Sequence, residues 1–264
     1  MDFGMPSLIE INSLEECASL CQKLGLKFIE LNMNFPEYQL DKLDIDHLNK
    51  IANKYGIYYT IHLDENLNPC DFNSKVASAY TQTVLDAIAV AKQINAPILN
   101  MHLVDGVYLT LPKKRIFLFD AYEDVYLQNL RHFCDSCIKA VGNTEIKICI
   151  ENTAGFNRAS FMKNALSLLL ESSIFSLTLD IGHDAAIGFT DKSLMLGYEN
   201  KLSHMHVHDA KGTKNHLSLG SGELDLSQYL ELAKMNNCRV VLETKTIAAL
   251  KDSAGWLHTK QYKI

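Results

Sequence analysis

The sequence lacks the features that would place it in a membrane or on nucleic acid. No apolar run approaches the roughly 18 residues that a membrane-spanning helix needs. The 264 residues carry 25 Lys and Arg against 31 Asp and Glu, a formal net charge of −6. Nucleic-acid-binding proteins usually present a basic face, so this balance argues against a nucleic-acid partner without excluding a local basic patch.

Cysteine usage is equally restricted. Seven cysteines are an odd number, and no signal-peptide pattern opens the chain, so we expect reduced thiols and a cytoplasmic protein. Cys134 and Cys137 form a C-x-x-C, but no second C-x-x-C accompanies it, and it falls in a helical apolar pattern with Leu130 and Phe133. We therefore interpret the pair as helix packing rather than a zinc or redox site.

Glycine-rich nucleotide-binding fingerprints and low-complexity stretches are also missing, which argues against the open nucleotide-binding sheets. Short apolar runs instead alternate with amphipathic segments along the chain, as is typical of a parallel α/β protein. Eight strands are predicted, of which the first is the weakest: residues 3–11, 28–33, 57–63, 97–103, 146–151, 175–180, 202–208 and 239–243.

Helical patterns occupy the intervals between these strands. Ser13 and Glu16 form a capping box at the start of the first helix, and Gly25 follows its end. Further helices are predicted at residues 46–55, 74–94, 122–141, 162–172, 192–198, 226–235 and 247–256. Eight strand–helix units without a linker predict one domain over residues 1–264. We expect a single (β/α)₈ TIM barrel, in which eight parallel strands are surrounded by helices and about 250 residues are typical.

One segment interrupts the alternation of strands and helices. Apolar residues before and after Pro112, Lys113 and Lys114 predict a β-hairpin over residues 106–119, inserted after the fourth strand. Loops that follow barrel strands lie on the functional face. The segment is therefore either a mobile lid or a packing insertion.

Side-chain alternation along the strands predicts a polar barrel interior. Successive side chains point to opposite faces of a strand, and one parity is apolar in every later strand, as in Ile29 and Leu31. The other parity faces the barrel axis and carries Glu30, Asn32, Thr60, His62, Asn100, His102, Cys149, Glu151, Thr178, Asp180, His204, His206, His208, Val241 and Glu243.

Such an interior is unusual, because barrel interiors normally contain Val, Ile and Leu. Burying several carboxylates and imidazoles together is costly unless something compensates their charge. A divalent cation at the C-terminal mouth of the barrel would do so, and we predict a metal site there. A purely structural role stays open for single members of the set, especially Glu30, Asn32, His204 and His208.

Five motifs occur in order along the later strands: residues 150–155 (IENTAG), 179–183 (LDIGH), 205–209 (MHVHD), 216–222 (HLSLGSG) and 242–244 (LET). Together they resemble the superfamily of xylose-isomerase-like barrels. That superfamily joins sugar isomerases and epimerases with the endonuclease IV enzymes, which cut DNA at abasic sites. The resemblance covers nearly the whole chain.

The epimerase branch of this superfamily implies a single divalent metal. Its four protein ligands match Glu151, Asp180, His206 and Glu243. The two glutamates at those positions also act as acid and base on opposite faces of the substrate, and His183 and His216 match groups that contact substrate. The resemblance therefore implies a metal-dependent isomerase or epimerase of a sugar or sugar phosphate, which transfers a proton through a metal-stabilised enediolate.

The endonuclease branch implies two or three zinc ions instead. There His62 and His102 match ligands of an additional zinc, His183 and His216 match ligands too, and a bridging hydroxide attacks a phosphodiester. The motif at residues 151–155 looks more like this branch. Against it, Lys214 occupies the position of an Asp two residues before the histidine of the 216–222 motif. A dehydratase of the superfamily and a metal-binding barrel without turnover are further alternatives.

Metal, substrate and assembly follow from the resemblance only in outline. A carboxylate-rich ligand set suits Mn²⁺, Mg²⁺ or Co²⁺, whereas a histidine-rich set suits Zn²⁺. We expect one ion in the isomerase and two or three zinc ions in the hydrolase. Lys211, Lys214 or Lys245 would contact a substrate phosphate or carboxylate, unless each is an ordinary surface charge. Many barrels of this kind are dimers or tetramers, so a homo-oligomer is also expected.

Overall fold

Eight parallel strands close into one barrel in the computed structural model, which describes residues 1–153 and 155–262 apart from the side chain of Glu199. Strands β1 to β8 are Asp2–Pro6, Phe28–Asn32, Tyr58–His62, Ile98–His102, Lys147–Glu151, Phe175–Asp180, Leu202–Val207 and Arg239–Leu242. Each pairs with the next, and β8 pairs with β1. The predicted TIM barrel is confirmed. The first strand is shorter than predicted and ends at Pro6.

Helices α1 to α10 of the described residues surround the barrel: Leu14–Lys23, Ile45–Tyr55, Ser74–Gln93, Leu118–Ala121, Glu123–Val141, Ser160–Leu170, Ile181–Ala186, Thr190–Met195, Leu226–Met235 and Ile247–Thr259. Pro36–Tyr38 and Leu196–Lys201 form 3₁₀ turns. At the start of α1, the Ser13 hydroxyl accepts the backbone N–H of Glu16 as predicted, and Gly25 beyond its end has a φ of 78°. None of these helices combines the length and apolarity that crossing a membrane requires.

Two hairpins among the described residues project from the barrel. Tyr108–Leu111 pairs with Lys114–Phe117, which confirms the predicted insertion after the fourth strand; its role as a lid stays a prediction. Asp209–Lys211 pairs with Lys214–Leu217 after β7, and this second hairpin was not predicted. Helix α7 was not predicted either, because six residues are too few for a helical period to show.

The main core lies between the barrel and its helices. Apolar side chains of the expected parity, such as Ile61, Leu99 and Met205, are fully buried there, and each contributes roughly 1.5–3 kcal/mol to folding. All seven cysteines are buried and free. Cys134 and Cys137 lie on the buried face of α5, as the helix-packing interpretation predicts.

Strand register places the polar side chains of neighbouring strands side by side. His102 pairs with Glu151 across β4 and β5, and Asp180 pairs with His206 across β6 and β7. Because these pairs lie at the carboxyl ends of their strands, they meet at the C-terminal mouth of the barrel, where barrel enzymes have their active sites.

Candidate metal centre

Four predicted ligands converge at the C-terminal mouth. Glu151 and Asp180 end β5 and β6, His206 lies near the end of β7, and Glu243 directly follows β8. The first three are almost completely buried, and the side chain of Glu243 is 13% exposed. The barrel thus brings together side chains that are distant in sequence, as side-chain parity predicted.

The imidazole of His206 lies at the centre of the group. Its Nδ1 is 3.5 Å from Glu151 Oε2, 3.5 Å from Glu243 Oε2 and 4.0 Å from Asp180 Oδ2. Both His206 Nδ1 and Glu243 Oε2 are buried and have no hydrogen-bond partner among the described residues. Ligand atoms about 2.1 Å from a tetrahedral metal lie about 3.4 Å apart, so the spacing and the unpartnered atoms fit a divalent cation.

The electrostatics of this group also favour a cation. Burial alone would raise the pKa of Glu151, but the imidazoles of His206 and His102 hold it well below its ordinary value. Burial likewise opposes ionisation of Glu243, yet His206 and Lys245 keep its pKa low. Burial would lower the pKa of His206, but the surrounding carboxylates raise it well above normal. The metal-free centre therefore holds protons on imidazoles that a metal would displace.

A second group lies next to the first and shares Glu151. Glu151 Oε2 lies 3.1 Å from His102 Nε2 and 3.5 Å from His62 Nε2, and it accepts a hydrogen bond from Asn100. His62 Nδ1 lies 2.8 Å from the carbonyl oxygen of Leu63, an acceptor that places a hydrogen on Nδ1 and directs Nε2 to the centre. Three ligand atoms of this group could bind a further ion.

His183 and His216 lie at the partly exposed edge of the mouth. His183 Nδ1 is 3.3 Å from Glu151 Oε1 and 3.5 Å from Asp180 Oδ2. His216 Nδ1 is 3.7 Å from Glu243 Oε2. Both rings therefore border the centre, where they could contact a substrate or a further ion.

The three lysines considered from the sequence differ in position. Lys211 and Lys214 are exposed and face each other across the second hairpin. Lys245 Nζ lies 2.9 Å from Glu243 Oε1, so this amine borders the site. Where the endonuclease pattern has an aspartate, this chain therefore presents an exposed lysine rather than a metal ligand.

Glu30 and His204 support the centre from below. The Glu30 carboxylate lies 2.8 Å from His204 Nε2 and 2.9 Å from His206 Nε2, and it accepts a hydrogen bond from Thr60. Burial opposes ionisation of Glu30, but the two imidazoles lower its pKa well below normal. The structural role left open for Glu30 and His204 agrees with these contacts.

Asn152 is a site residue that sequence analysis did not single out. Its side chain donates to the carbonyl oxygen of Asp180 at 2.9 Å and accepts from the backbone N–H of Asp180 at 2.7 Å. Asn152 thereby joins the ends of β5 and β6. Its place directly after Glu151 was the available signal, but adjacency alone does not reveal the partner.

A cavity of about 230 Å³ opens beside the centre. Its lining includes Ser7, Asn32 and Phe35 together with His62, Glu243 and Lys245. Pockets for drug-sized ligands are about 300–1,000 Å³, so this cavity suits a smaller molecule.

A family model and a curated relative each match most of the chain. The model of the family described as "Xylose isomerase-like TIM barrel" matches residues 18–260. Uncharacterized protein MJ1614 of Methanocaldococcus jannaschii is 24% identical over 204 residues, which are 75% of each chain.

Solved structures with the same fold include several activities. A D-tagatose 3-epimerase-like protein has a TM-score of 0.75 at 23% identity, over 98% of this chain and 96% of the other. The IOLI protein with a binding zinc atom has a TM-score of 0.73 at 16% identity, over 100% of both chains. AP endonuclease, family 2, from Brucella melitensis has a TM-score of 0.72 at 13% identity, over 98% and 99%.

At these identities the structural likeness shows the fold, whereas the family model is matched along most of the sequence. It covers every strand from β2 to β8 and all the candidate ligands. The chain belongs to the xylose isomerase-like TIM barrel family.

Proposed function

We propose that the protein is a divalent-metal-dependent isomerase or epimerase of a small sugar or sugar phosphate. The observation that carries this proposal is the buried Nδ1 of His206, which faces the carboxylates of Glu151, Asp180 and Glu243. This nitrogen has no hydrogen-bond partner in the part of the chain that the structure describes. Family membership and the likeness to a D-tagatose 3-epimerase-like protein support it.

Glu151, Asp180, His206 and Glu243 would hold one ion, which when bound polarises a sugar carbonyl and stabilises negative charge on adjacent oxygens. Glu151 and Glu243 act as the base and acid, one starting the cycle as a carboxylate and the other as a carboxylic acid, and they exchange these states in one turnover. One removes the proton from the carbon next to the carbonyl, and the other glutamate returns a proton. Return to the opposite face of that carbon gives epimerisation, and return to the neighbouring carbon gives aldose–ketose exchange.

The remaining mouth residues would bind and orient the sugar. His183 and His216, at the edge of the centre, would hold hydroxyl groups. The cavity of about 230 Å³ suits a monosaccharide better than a nucleotide. Lys245, which already pairs with Glu243, would meet an anionic group of a sugar phosphate.

Metal content tests the proposal first. Protein purified without chelator or added metal should contain about one divalent ion per chain, held by the four ligands. The metal-loaded protein should then exchange the hydrogen next to the carbonyl of its ketose or ketose phosphate with deuterium from D₂O. Proton NMR measures this exchange across a panel of ketoses and ketose phosphates, because the signal of the substrate itself is lost whichever product forms.

Variants of the two glutamates test the acid–base assignment. Glu151→Gln and Glu243→Gln should each abolish turnover, because an amide cannot take up the proton, while Glu243→Gln leaves the fold intact. Glu231→Gln, on the exposed side of α9, is the matched control and should keep full activity. Near-normal turnover in either of the first two variants would refute the assignment.

An endonuclease-like phosphodiesterase is the second candidate, favoured by the group of His62, His102 and Glu151 beside the first. Two or three zinc ions per chain, with salt-sensitive binding of abasic DNA in a mobility-shift assay, would support it. The net charge of −6 and the exposed Lys214 argue against it. No binding of abasic DNA at low salt would exclude it.

We also propose a cytoplasmic protein, because all seven cysteines are buried and free, as expected of reduced thiols. A homo-oligomer stays a prediction, which light scattering of the purified protein would test.

A further inference from the structure

His208 is a buried histidine that the proposed mechanism does not use. It directly follows β7, and its ring is fully buried between α7 and the second hairpin. It lies close enough to His216 and Glu243 for the three to share a metal ion. The hydrogen bonds of its two ring nitrogens decide whether it can be a ligand.

The Nδ1 atom of His208 accepts a hydrogen bond. The backbone N–H of His216 points at it from 2.8 Å, and a ring nitrogen accepts only through its lone pair. The carbonyl oxygen of Asp209 lies farther from the same nitrogen, at 3.4 Å. A hydrogen on Nδ1 would therefore collide with the backbone N–H of His216. The ring thus cannot carry hydrogens on both nitrogens, even though carboxylates lie nearby.

The hydrogen of the ring must then be on Nε2. This nitrogen lies 3.2 Å from Asp180 Oδ1 and 3.3 Å from Asp180 Oδ2, so its N–H donates to the carboxylate of a proposed metal ligand. A nitrogen that carries a hydrogen has no lone pair for a metal. His208 is therefore a donor to Asp180 and not a ligand.

Three features of the surrounding backbone hold this arrangement. His216 has a φ of 52°, a left-handed conformation that is uncommon for a residue with a side chain, and from it the N–H reaches His208. The carboxylate of Asp209 accepts three backbone N–H groups of residues 220–224 and so anchors the loop after the hairpin. At Gly182, a Cβ would lie 1.9 Å from Cε1 of His208, so only glycine leaves room for the ring.

We propose that His208 is a positioning residue that orients the Asp180 carboxylate for metal binding and couples the second hairpin to the metal centre. The inference rests on the proposed function of Asp180 as a ligand. Asp180 Oδ1 also accepts the backbone N–H of His183 at 2.7 Å. With donors on two sides, the carboxylate is held in one orientation before any metal arrives, as is typical of groups hydrogen-bonded to metal ligands.

Zinc affinity, measured with Zn²⁺ alone in competition with a chromophoric chelator, tests the positioning role. His208→Leu removes the donor and should weaken zinc binding about 10–100-fold. His208→Gln offers an amide N–H close to the position of Nε2 and should recover most of this loss. A folded His208→Leu variant with wild-type zinc affinity would overturn the proposal, as would equal losses in the two variants.

The ring hydrogen can also be located in the wild-type protein, which avoids variants that fold poorly. Long-range ¹H–¹⁵N NMR correlations should show a hydrogen on Nε2 of His208 and none on Nδ1, with and without zinc. His62 is the internal control, since its contact with the Leu63 carbonyl requires a hydrogen on Nδ1. A hydrogen on Nδ1 of His208, or zinc on its Nε2, would overturn the proposal. If wild-type protein binds no metal, the proposed function fails, and the NMR result still decides the His208–Asp180 contact.

Discussion

Replacing Glu243 with glutamine should separate metal binding from folding. The substitution keeps the side-chain shape but removes one of three carboxylates that lie within 4.0 Å of His206 Nδ1. His206 keeps the other carboxylates around it, and the lost ion pair with the exposed amine of Lys245 contributes at most about 1 kcal/mol. The metal-free variant should therefore be within about 1 kcal/mol of the wild type in unfolding free energy, while its metal affinity falls.

The size of the loss follows from the ligand count. Four-ligand structural zinc sites have apparent binding free energies of about 10–16 kcal/mol, so one ligand in four corresponds to about 2.5–4 kcal/mol, or a loss in affinity of about 100-fold at the lower end of this range. At a zinc concentration about 100 times the wild-type Kd, zinc stabilises the wild type by about 2.7 kcal/mol and the variant by about 0.4 kcal/mol. At about 2–4 °C per kcal/mol, the Tm should rise by about 5–10 °C in the wild type and by about 1–2 °C in the variant.

Thermal unfolding followed by circular dichroism, with EDTA and then with zinc, measures both quantities. Glu231→Gln makes the same chemical change on the exposed face of α9 and should show the full zinc-dependent rise. A full rise in Glu243→Gln would refute the ligand assignment. A large loss of stability in EDTA would refute the argument that the carboxylate is needed for metal rather than for folding.

Three further predictions concern protons, packing and thiols. Burial opposes protonation of His206, but the neighbouring carboxylates raise its pKa well above normal, so protons compete with zinc at neutral pH. Zinc affinity measured by chelator competition should therefore rise with pH, and an affinity independent of pH would contradict this. Gly182→Ala should destabilise the protein by about 1–3 kcal/mol in urea unfolding, because the new methyl meets the His208 ring. Gly197→Ala, where no described atom lies within 4 Å of the added carbon, is the control and should be near neutral. Burial raises the pKa of Cys17 to about 12, so its alkylation by iodoacetamide at pH 8 should be slow in native protein and fast in urea. Rapid alkylation in native protein would contradict this, because it would show that the thiol is accessible.

The fold and the inner face of the strands were predictable because a strand alternates with period two. That alternation separated apolar residues such as Ile150 from inward residues such as Glu151, and the structure brings the inward set together. Roles within the set were not predictable in the same way. His204 and His206 lie on β7 and His208 directly follows it with the same parity, yet their sets of carboxylate contacts differ. His204 contacts Glu30, His206 contacts Glu30, Glu151 and Glu243, and His208 contacts Asp180. Those contacts depend on depth along the barrel axis, which follows from strand register rather than from the sequence pattern.

The second hairpin shows a different limit of the sequence. Its two strands are short, and Lys211, Lys214 and Asn215 are exposed, so no apolar alternation marks them. The loop after it is held by the buried carboxylate of Asp209, which accepts backbone N–H groups from residues up to 15 positions away. Such contacts involve backbone groups that almost every residue has, and they leave no pattern of side chains to recognise.

The closure of the barrel has a consequence for the order of events during synthesis. The four proposed ligands lie on or directly after β5 to β8, and the last of them, Glu243, adjoins the strand that pairs with β1. An N-terminal portion of the chain leaving the ribosome lacks that ligand and the closing strand together. Metal loading is therefore expected only after translation has passed residue 243, so bound metal would report that the last strand has joined the first.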